Sequence, residues 1–298
     1  MACLIVVVRQ GGWSDLCEAE LTRFDEIGYW SELKLEIVRK YAAAYSRILS
    51  QRRNPAFHHV YIDGFSGAGT HLSRTSGGEV QGSPLIALDI TPPFHEYFLI
   101  DLQGEKVDHL RSLVGERPNV HLREGDCNEI LLTEVLPQIR WESYKRGLCL
   151  LDPYGLHLRW DVIAMAGKSR AIDLFLNFPI MDINRNALWT EKDKVSQASR
   201  GRMTAFWGDG SWQDVAYRPA QQGNLFGAAP PEKQGNEVIA GAFRERLKRV
   251  AGFARVAEPL PMRNSQGAIV YYLFFASQKE VADQIVTEIF NKYRTRGA

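Results

Sequence analysis

Apolar residues recur at three- and four-residue steps from Trp30 to Leu49, where Leu33, Ile37, Tyr41, Ala44, Tyr45 and Ile48 share one face. This spacing predicts an amphipathic helix, with Ser31 as its cap and Lys34, Arg39 and Lys40 on the other side. The period then shortens. HHVYIDGFSGAG (58–69) is a β-branched and aromatic run that enters Gly64, Gly67 and Gly69, so a strand passes straight into a loop with little side chain. Ser83 followed by Pro84 predicts the start of a second helix. Apolar runs at 96–102, 119–126, 146–153 and 171–179 alternate with helical stretches around 104–113 and 128–136. The runs end at acidic residues, which predicts a mostly parallel sheet covered on both faces.

Residues 181–236 break this rhythm. They bring Arg185, Arg200 and Arg202, the aromatics Trp189, Trp207 and Trp212, and a loop rich in Gly, Pro, Asn and Gln, and read as an insertion or lid. A helix from Glu237 to about Val250 resumes the alternation. FARVAEPLPMR and AIVYYLFFAS, separated by Asn264–Gly267, predict a closing antiparallel hairpin, and a helix from Gln278 to about Tyr293 completes the pattern. The expected organisation is an extension over 1–29 and one α/β domain over 30–298 that carries the segment 181–236.

Composition agrees with one large α/β domain: 298 residues, 45% of them hydrophobic. The 36 basic and 35 acidic residues leave a net charge of +1, so no global field points to nucleic acid or a membrane. A local basic patch stays open. Cys3, Cys17, Cys127 and Cys149 are scattered, which suits a reducing cytoplasm better than a disulfide framework. The run Ala2–Val8 is too short to span a bilayer and lacks signal-peptide features; it reads as an extra strand or an early start. His58 and His59 point to opposite faces of one strand, and with no Cys/His spacing elsewhere no metal site is expected.

Ligands of such sheets bind at the carboxyl ends of the strands, where the glycine loop, Asp101, Asp126 and Asp152 fall. A dinucleotide fingerprint would need a third glycine where Leu72 stands. The pattern Asp-x-Phe-x-Gly-x-Gly is instead met by Asp63, Phe65, Gly67 and Gly69. It resembles the loop of S-adenosylmethionine (SAM)-dependent methyltransferases, especially those acting on amines. That resemblance assigns Asp63, Gly64, Phe65, Ser66, Gly67 and Gly69 to the cofactor's amino-acid tail, with Asp63 pairing with its α-amino group. It gives Asp101, with Leu102 beside it, to the ribose hydroxyls, and Asp126, with Cys127 and Asn128, to the adenine. Asp152 joins the cofactor end to the acceptor end, where Pro153 and Tyr154 would orient the acceptor.

DPYG (152–155) is similar to the [DNS]-P-P-[YFW] motif of exocyclic-amine methyltransferases. Tyr154 replaces the second proline and Gly155 the aromatic, which weighs against a nucleobase amine. His157 reads first as a partly exposed packing residue, and would serve as a base if the acceptor were a hydroxyl or thiol. Asn177-Phe178-Pro179 either lines the acceptor pocket or turns away from the sheet. The arginines and tryptophans of 181–236 either meet phosphates and bases or form core. Lys34 is read by default as solvated. The polar stretch 70–83 stretches Asp63 and Asp101 beyond the about 20 positions usual between such residues; it folds over the ligand or is a surface loop.

Taken in order, the helix with Trp30, Lys34 and Tyr41, then YIDGFSGAG, GSPLIAL, GDCNEI, LLDPYGLHLRW, DLFLNFP, FWG…W and YYLFFAS resemble the three-Cys-motif partner proteins, TcmP, from about Trp30 to Tyr293. The resemblance implies a Rossmann-like class I methyltransferase fold that binds SAM, an unassigned nucleic-acid or peptide acceptor, and a radical-SAM-like partner bearing the three-Cys motif. Two other classes are weighed. One is a catalytically silent SAM-binding or interaction partner of a neighbouring enzyme. The other is a metal-dependent nuclease or hydrolase, which requires Asp63, Asp126 and Asp152 to converge within a few ångströms around Mg²⁺.

Overall fold

The β-branched and aromatic runs form one eight-stranded sheet: β1 His58–Asp63, β2 Glu96–Asp101, β3 Val120–Glu124, β4 Lys145–Leu151, β5 Ile172–Phe178, β6 Arg255–Val256, β7 Leu260–Arg263 and β8 Ile269–Ser277. The computed structural model describes residues 25–191, 194–218, 232–264 and 266–294; Ala2–Val8, Cys3, Cys17 and most of the Gly- and Pro-rich loop lie outside them. The strand order is β6-β8-β5-β4-β1-β2-β3, with β7 also paired to β8. β1 to β5 run parallel, and β8 lies antiparallel against β5. The chain starts at the centre, steps out to β3, and then crosses back to β4. This is the Rossmann-like methyltransferase arrangement, and the reversal between β1 and β4 is its switch point.

Ten helices among the described residues flank the sheet: α1 Tyr29–Ser50, α2 Ser83–Leu88, α3 Gly104–Val114, α4 Cys127–Ile130, α5 Trp160–Ser169, α6 Ile180–Asn186, α7 Gln197–Trp207, α8 Trp212–Ala216, α9 Asn236–Arg249 and α10 Glu280–Arg294. Strand side chains alternate between two cores. Val60 and Ile62 join Val162, Met203 and Phe243 on one face, whereas Tyr61 joins Ile37, Leu110 and Phe290 on the other. Among the described residues no helix is long and apolar enough to cross a membrane.

Several local expectations are corrected. Gly28, not Ser31, caps α1, and the Ser31 amide donates to the Gly28 carbonyl at 2.9 Å. Gly82 caps α2, so Ser83 becomes its first residue and frees its hydroxyl for Asp63. The helix expected from Asn128 begins at Cys127, capped by Asp126, and widens after Ile130 into a π turn over Leu131–Val135. Of the two readings left open for Trp207 and Trp212, the core one holds: they are 1% and 3% exposed and belong to the core beneath α7 and α8. Stretch 70–83 is no open loop, because Thr70–Ser73 and Glu79–Gln81 pair antiparallel, and Asp25–Ile27 adds a parallel third strand.

Candidate functional site

A cavity of 930 Å³ opens at the carboxyl edge of the sheet, over the switch point. Gly64, Phe65, Ser66 and Gly67 form one wall, and Asp101, Leu102, Asp126 and Cys127 continue it along β2 and β3. Asp152, Pro153, Tyr154 and His157 supply the β4 side. These twelve residues, all singled out in the sequence, share one cavity. Asp63, Gly69 and Asn128 are not on it.

The glycines have different reasons for being there. Gly67 has φ +65° and Gly69 φ +92°, the left-handed region open to glycine. Gly64 has no positive φ; a Cβ there would lie 2.8 Å from Leu151 Cδ2, so it serves close packing between β1 and β4. A Cβ on Gly69 would strike Leu110 at 2.8 Å, which puts this residue against α3 and away from the cavity.

Asp63 is wholly buried beneath the loop. Its carboxylate accepts hydrogen bonds from the Phe65 amide at 3.2 Å, the Tyr61 hydroxyl at 3.3 Å and Ser83. Burial pushes its pKa up to about 6 against those bonds. It thus supports the loop from behind, where direct pairing with a ligand's α-amino group had been expected. Asp101 stands at the front. Its two oxygens accept from the Gly67 and Gln103 amides, each at 2.9 Å, so the β2 carboxylate sets the tip of the glycine loop.

Asp126 caps α4 by accepting from the Asn128 amide and side chain, both at 2.8 Å. Asn128 also bonds the His157 carbonyl at 2.8 Å and the Arg159 amide at 2.7 Å, so it fastens the loop after β4 without lining the cavity. His157 and Tyr154 are exposed on that loop, Tyr154 at 89%. Burial raises the Cys127 thiol to about 12, which makes it a packing group.

Lys34 overturns its reading as a solvated residue. It is 6% exposed, and its ammonium pairs with Asp152. Asn177 Nδ2 donates to the other Asp152 oxygen at 2.6 Å, so Asn177 belongs to the site. Burial is the largest single influence and lowers the Lys34 pKa, but the charge and hydrogen bond of Asp152 together with Tyr271 and Asp63 outweigh it, and the net shift is upward. Tyr271 lies beside the pair, its hydroxyl donating to the Trp30 carbonyl at 3.1 Å and its phenol pushed up to about 12 by burial. A positional signal existed for both. α1 precedes β1 and runs back against it, and β8 is reversed, so the beginnings of both elements fall at the carboxyl edge.

His71, Arg74 and Lys106 complete the wall together with Asp25 and Glu26. Lys106 pairs with Asp25 at 2.6 Å and Arg74 with Glu26 at 3.0 Å, which ties the strand at Asp25–Ile27 across the cavity. Asp25, Glu26, His71, Arg74 and Lys106 were not singled out from sequence, although the 70–83 stretch that holds His71 and Arg74 was offered as a fold over the ligand or a surface loop. Of the 181–236 arginines and tryptophans, only Arg185 reaches the wall. The metal-dependent arrangement is not formed: Asp63 is enclosed, and among the described residues no group of three or more His, Cys, Asp or Glu side chains is placed to hold a metal ion.

No family model matches the chain, and no curated protein matches it in sequence. Among solved structures it is similar to a protein of the DUF519 family from Legionella pneumophila, at 12% identity and TM-score 0.49, over 89% of this chain and 94% of that one. It is also similar to a Listeria monocytogenes protein provisionally assigned as an S-adenosylmethionine-dependent methyltransferase, at 10% identity and TM-score 0.36, over 81% of this chain and 99% of that one.

Proposed function

We propose that the chain is a SAM-dependent methyltransferase of the TcmP type. The observation that carries the proposal is the joining of the glycine loop to the β2 carboxylate: Gly67 and Asp101 are bonded at 2.9 Å over a cavity at the switch point. The wall suits the cofactor. Its volume of 930 Å³ lies within the usual range for small-molecule sites. Asp25, Glu26, Asp101, Asp126, Asp152 and Asp182 outnumber Lys34, Arg74, Lys106 and Arg185, which favours a ligand carrying positive charge. A Cβ on Gly67 would meet nothing closer than His71 at 4.0 Å, so the backbone there is open to approach.

When bound, the cofactor would supply an electrophilic methyl group on a sulfonium. Gly64 to Gly67 would hold its amino-acid tail, Asp101 its ribose, and Asp126 with Cys127 its adenine; Asp63 and Asn128 would act one layer back by fixing those residues. Asp152 and Pro153 would then orient the acceptor under the cover of Asp25–Ile27. The interaction-partner reading draws on Tyr154, which extends into solvent at 89% exposure. A radical-SAM-like partner would meet the protein on that side, and a nucleic-acid acceptor would use Arg185.

Titration calorimetry with SAM and S-adenosylhomocysteine tests the proposal. Saturable binding that weakens at least about tenfold in Asp101→Ala is expected. A folded wild-type protein that binds neither compound would overturn it.

A further inference from the structure

The edge of the sheet opposite the cavity has a chemistry of its own. β1, β4 and β5 begin there and β8 ends there, and the six residues of β1 put it about 20 Å from the carboxyl edge. Arg52 and Arg53 precede β1, Arg140 precedes β4, Arg170 precedes β5 and Lys279 follows β8, and all of them are exposed. Arg140 gives its Nε–H to the Pro137 carbonyl at 2.9 Å and keeps its other guanidinium donors for solvent. Acids around these strand ends are fewer and mostly engaged. Glu96 holds His58 at 3.1 Å and Lys145 at 3.8 Å, Glu280 holds Arg255 at 3.2 Å, and Asp173 accepts from Tyr41 and Ser277. Glu142 is the exposed acid that is left among the described residues of this edge. The chain as a whole carries only +1, so its charge is divided between an acidic cavity and a basic edge behind it.

Aromatic rings stand among these cations. Trp141 is 37% exposed and Tyr144 48%. Arg146, itself 8% exposed, lies 3.7 Å from the centre of the Trp141 ring and donates to the Trp141 carbonyl at 3.2 Å, which props the indole from the protein side. Lys279 also rests over this ring, at 4.4 Å; its flexible stem lets the ammonium move aside to a phosphate when a base takes its place. Tyr144 stands beside Phe57, ring centres 6.3 Å apart. Tyr144 at φ +56° and Arg170 at φ +57° are the two non-glycine residues of positive φ among the described residues, and both fall on this edge. Side chains held in that region cluster at binding sites.

Cations alone suit any polyanion. Rings interleaved with them suit a polyanion whose charges alternate with flat apolar groups, whereas a duplex keeps the faces of its bases stacked and out of reach. We propose that the amino edge of the sheet binds single-stranded nucleic acid, with phosphates on the exposed cations and bases against Trp141 and Tyr144. The edge needs no cofactor for this, so its test and that of the cofactor site are independent.

Fluorescence anisotropy of the full chain with labelled oligo(U) and oligo(dT) of about 12 nucleotides is the test. Saturable binding to either is expected, and log affinity should fall with log salt at a slope of about −2 to −3, as for three or four cations on phosphates. Trp141→Leu should weaken binding about tenfold and Trp141→Phe far less, which separates stacking from a loss of bulk. Arg170→Gln combined with Lys279→Gln, both exposed positions, should lower the slope by about 1.4. The proposal is overturned if the folded wild type binds neither oligomer at low salt, or if Trp141→Leu leaves affinity unchanged. It is equally overturned if a duplex of the same length, polyglutamate or phosphatidylserine vesicles bind as tightly. A response to Arg185→Gln with none to the Arg170 and Lys279 pair would put the strand on the cavity wall instead and overturn it as well.

Discussion

Cutting the Lys34–Asp152 pair from its two ends should give unequal costs. In Asp152→Asn the ammonium stays in place with only 8% of its side chain exposed, so no water replaces the lost charge. Stranding one partner of a buried pair costs about 3–5 kcal/mol. Asp63 also acts on Lys34, which points to the lower end, about 3 kcal/mol. In Lys34→Met the aliphatic packing is largely kept and the expensive buried cation is removed. Asp152 is left on an open wall, 28% exposed and still bonded to Asn177, and the cost falls to about 1 kcal/mol. The double variant should resemble Lys34→Met, leaving a coupling of about 2–3 kcal/mol between the sites. Urea unfolding at pH 7.5, read from the midpoint at constant slope, measures each value. Equal costs, or a larger cost for Lys34→Met, would refute this reasoning.

The alkaline limb gives the sign. In the wild type the folded pKa of Lys34 lies above its ordinary value, so the stability it contributes is complete below about pH 10.4 and is lost above that. In Asp152→Asn burial prevails, the folded value drops below 10.4, and the unfolded chain binds more protons. Stability of that variant should therefore rise with pH on the approach to about 10.4, relative to wild type. Tyr41, Tyr45 and Tyr61 are raised by burial in both proteins and act alike, so the difference between the two curves is the readout.

Three other outcomes are expected. Asp63, held at about 6 by burial, loses stability as it ionises between about pH 4 and 6, on the order of 3 kcal/mol, while His59, lowered to about 4 by burial, contributes the opposite slope. Asp63→Asn should therefore unmask a stability that rises with pH across this window; a curve parallel to wild type would count against it. Asp101→Ala removes the acceptor of two backbone amides and should lower stability by about 1–2 kcal/mol, with the loss visible as faster hydrogen exchange at Gly67. Gly64→Ala forces a methyl to 2.8 Å from Leu151 and should cost about 1–3 kcal/mol in thermal or urea unfolding; no loss would mean that Leu151 yields freely.

The strands, the glycine loop and the strand-end acids were legible because their signals are local. Alternation with period two marks Val60, Tyr61 and Ile62, and an acid after an apolar run marks the carboxyl edge. Lys34 sends the opposite local signal. It sits on the polar side of an amphipathic helix, and the partner that does most to make its burial tolerable is a carboxylate 118 positions away. Trp207 and Trp212 could be read from sequence either as core or as a stacking surface, and only the packing, Trp207 against Phe243 among it, decides for core. The strand at Asp25–Ile27 was hidden because three residues carry no period, and its partner at Thr70–Ser73 lies across a turn of chain that only the fold brings near.

The two aspartates at the switch point show how identical residues acquire different work. Asp63 and Asp152 end neighbouring parallel strands, so their charges repel across a short gap of protein. The fold resolves the repulsion by giving each a different environment. Asp152 receives the ammonium and an amide nitrogen and stays at the cavity surface. Asp63 receives uncharged donors, is sealed behind the loop, and has its pKa raised to about 6. Lys34 therefore pairs with the carboxylate that stays at the cavity surface, and it is delivered by α1, a helix outside the glycine-loop and strand-end motifs. Placing a lysine within reach of Asp63 should supply the missing counter-charge and bring that carboxyl down from about 6, an outcome that NMR titration of Asp63 measures; an unchanged value would refute burial as the cause.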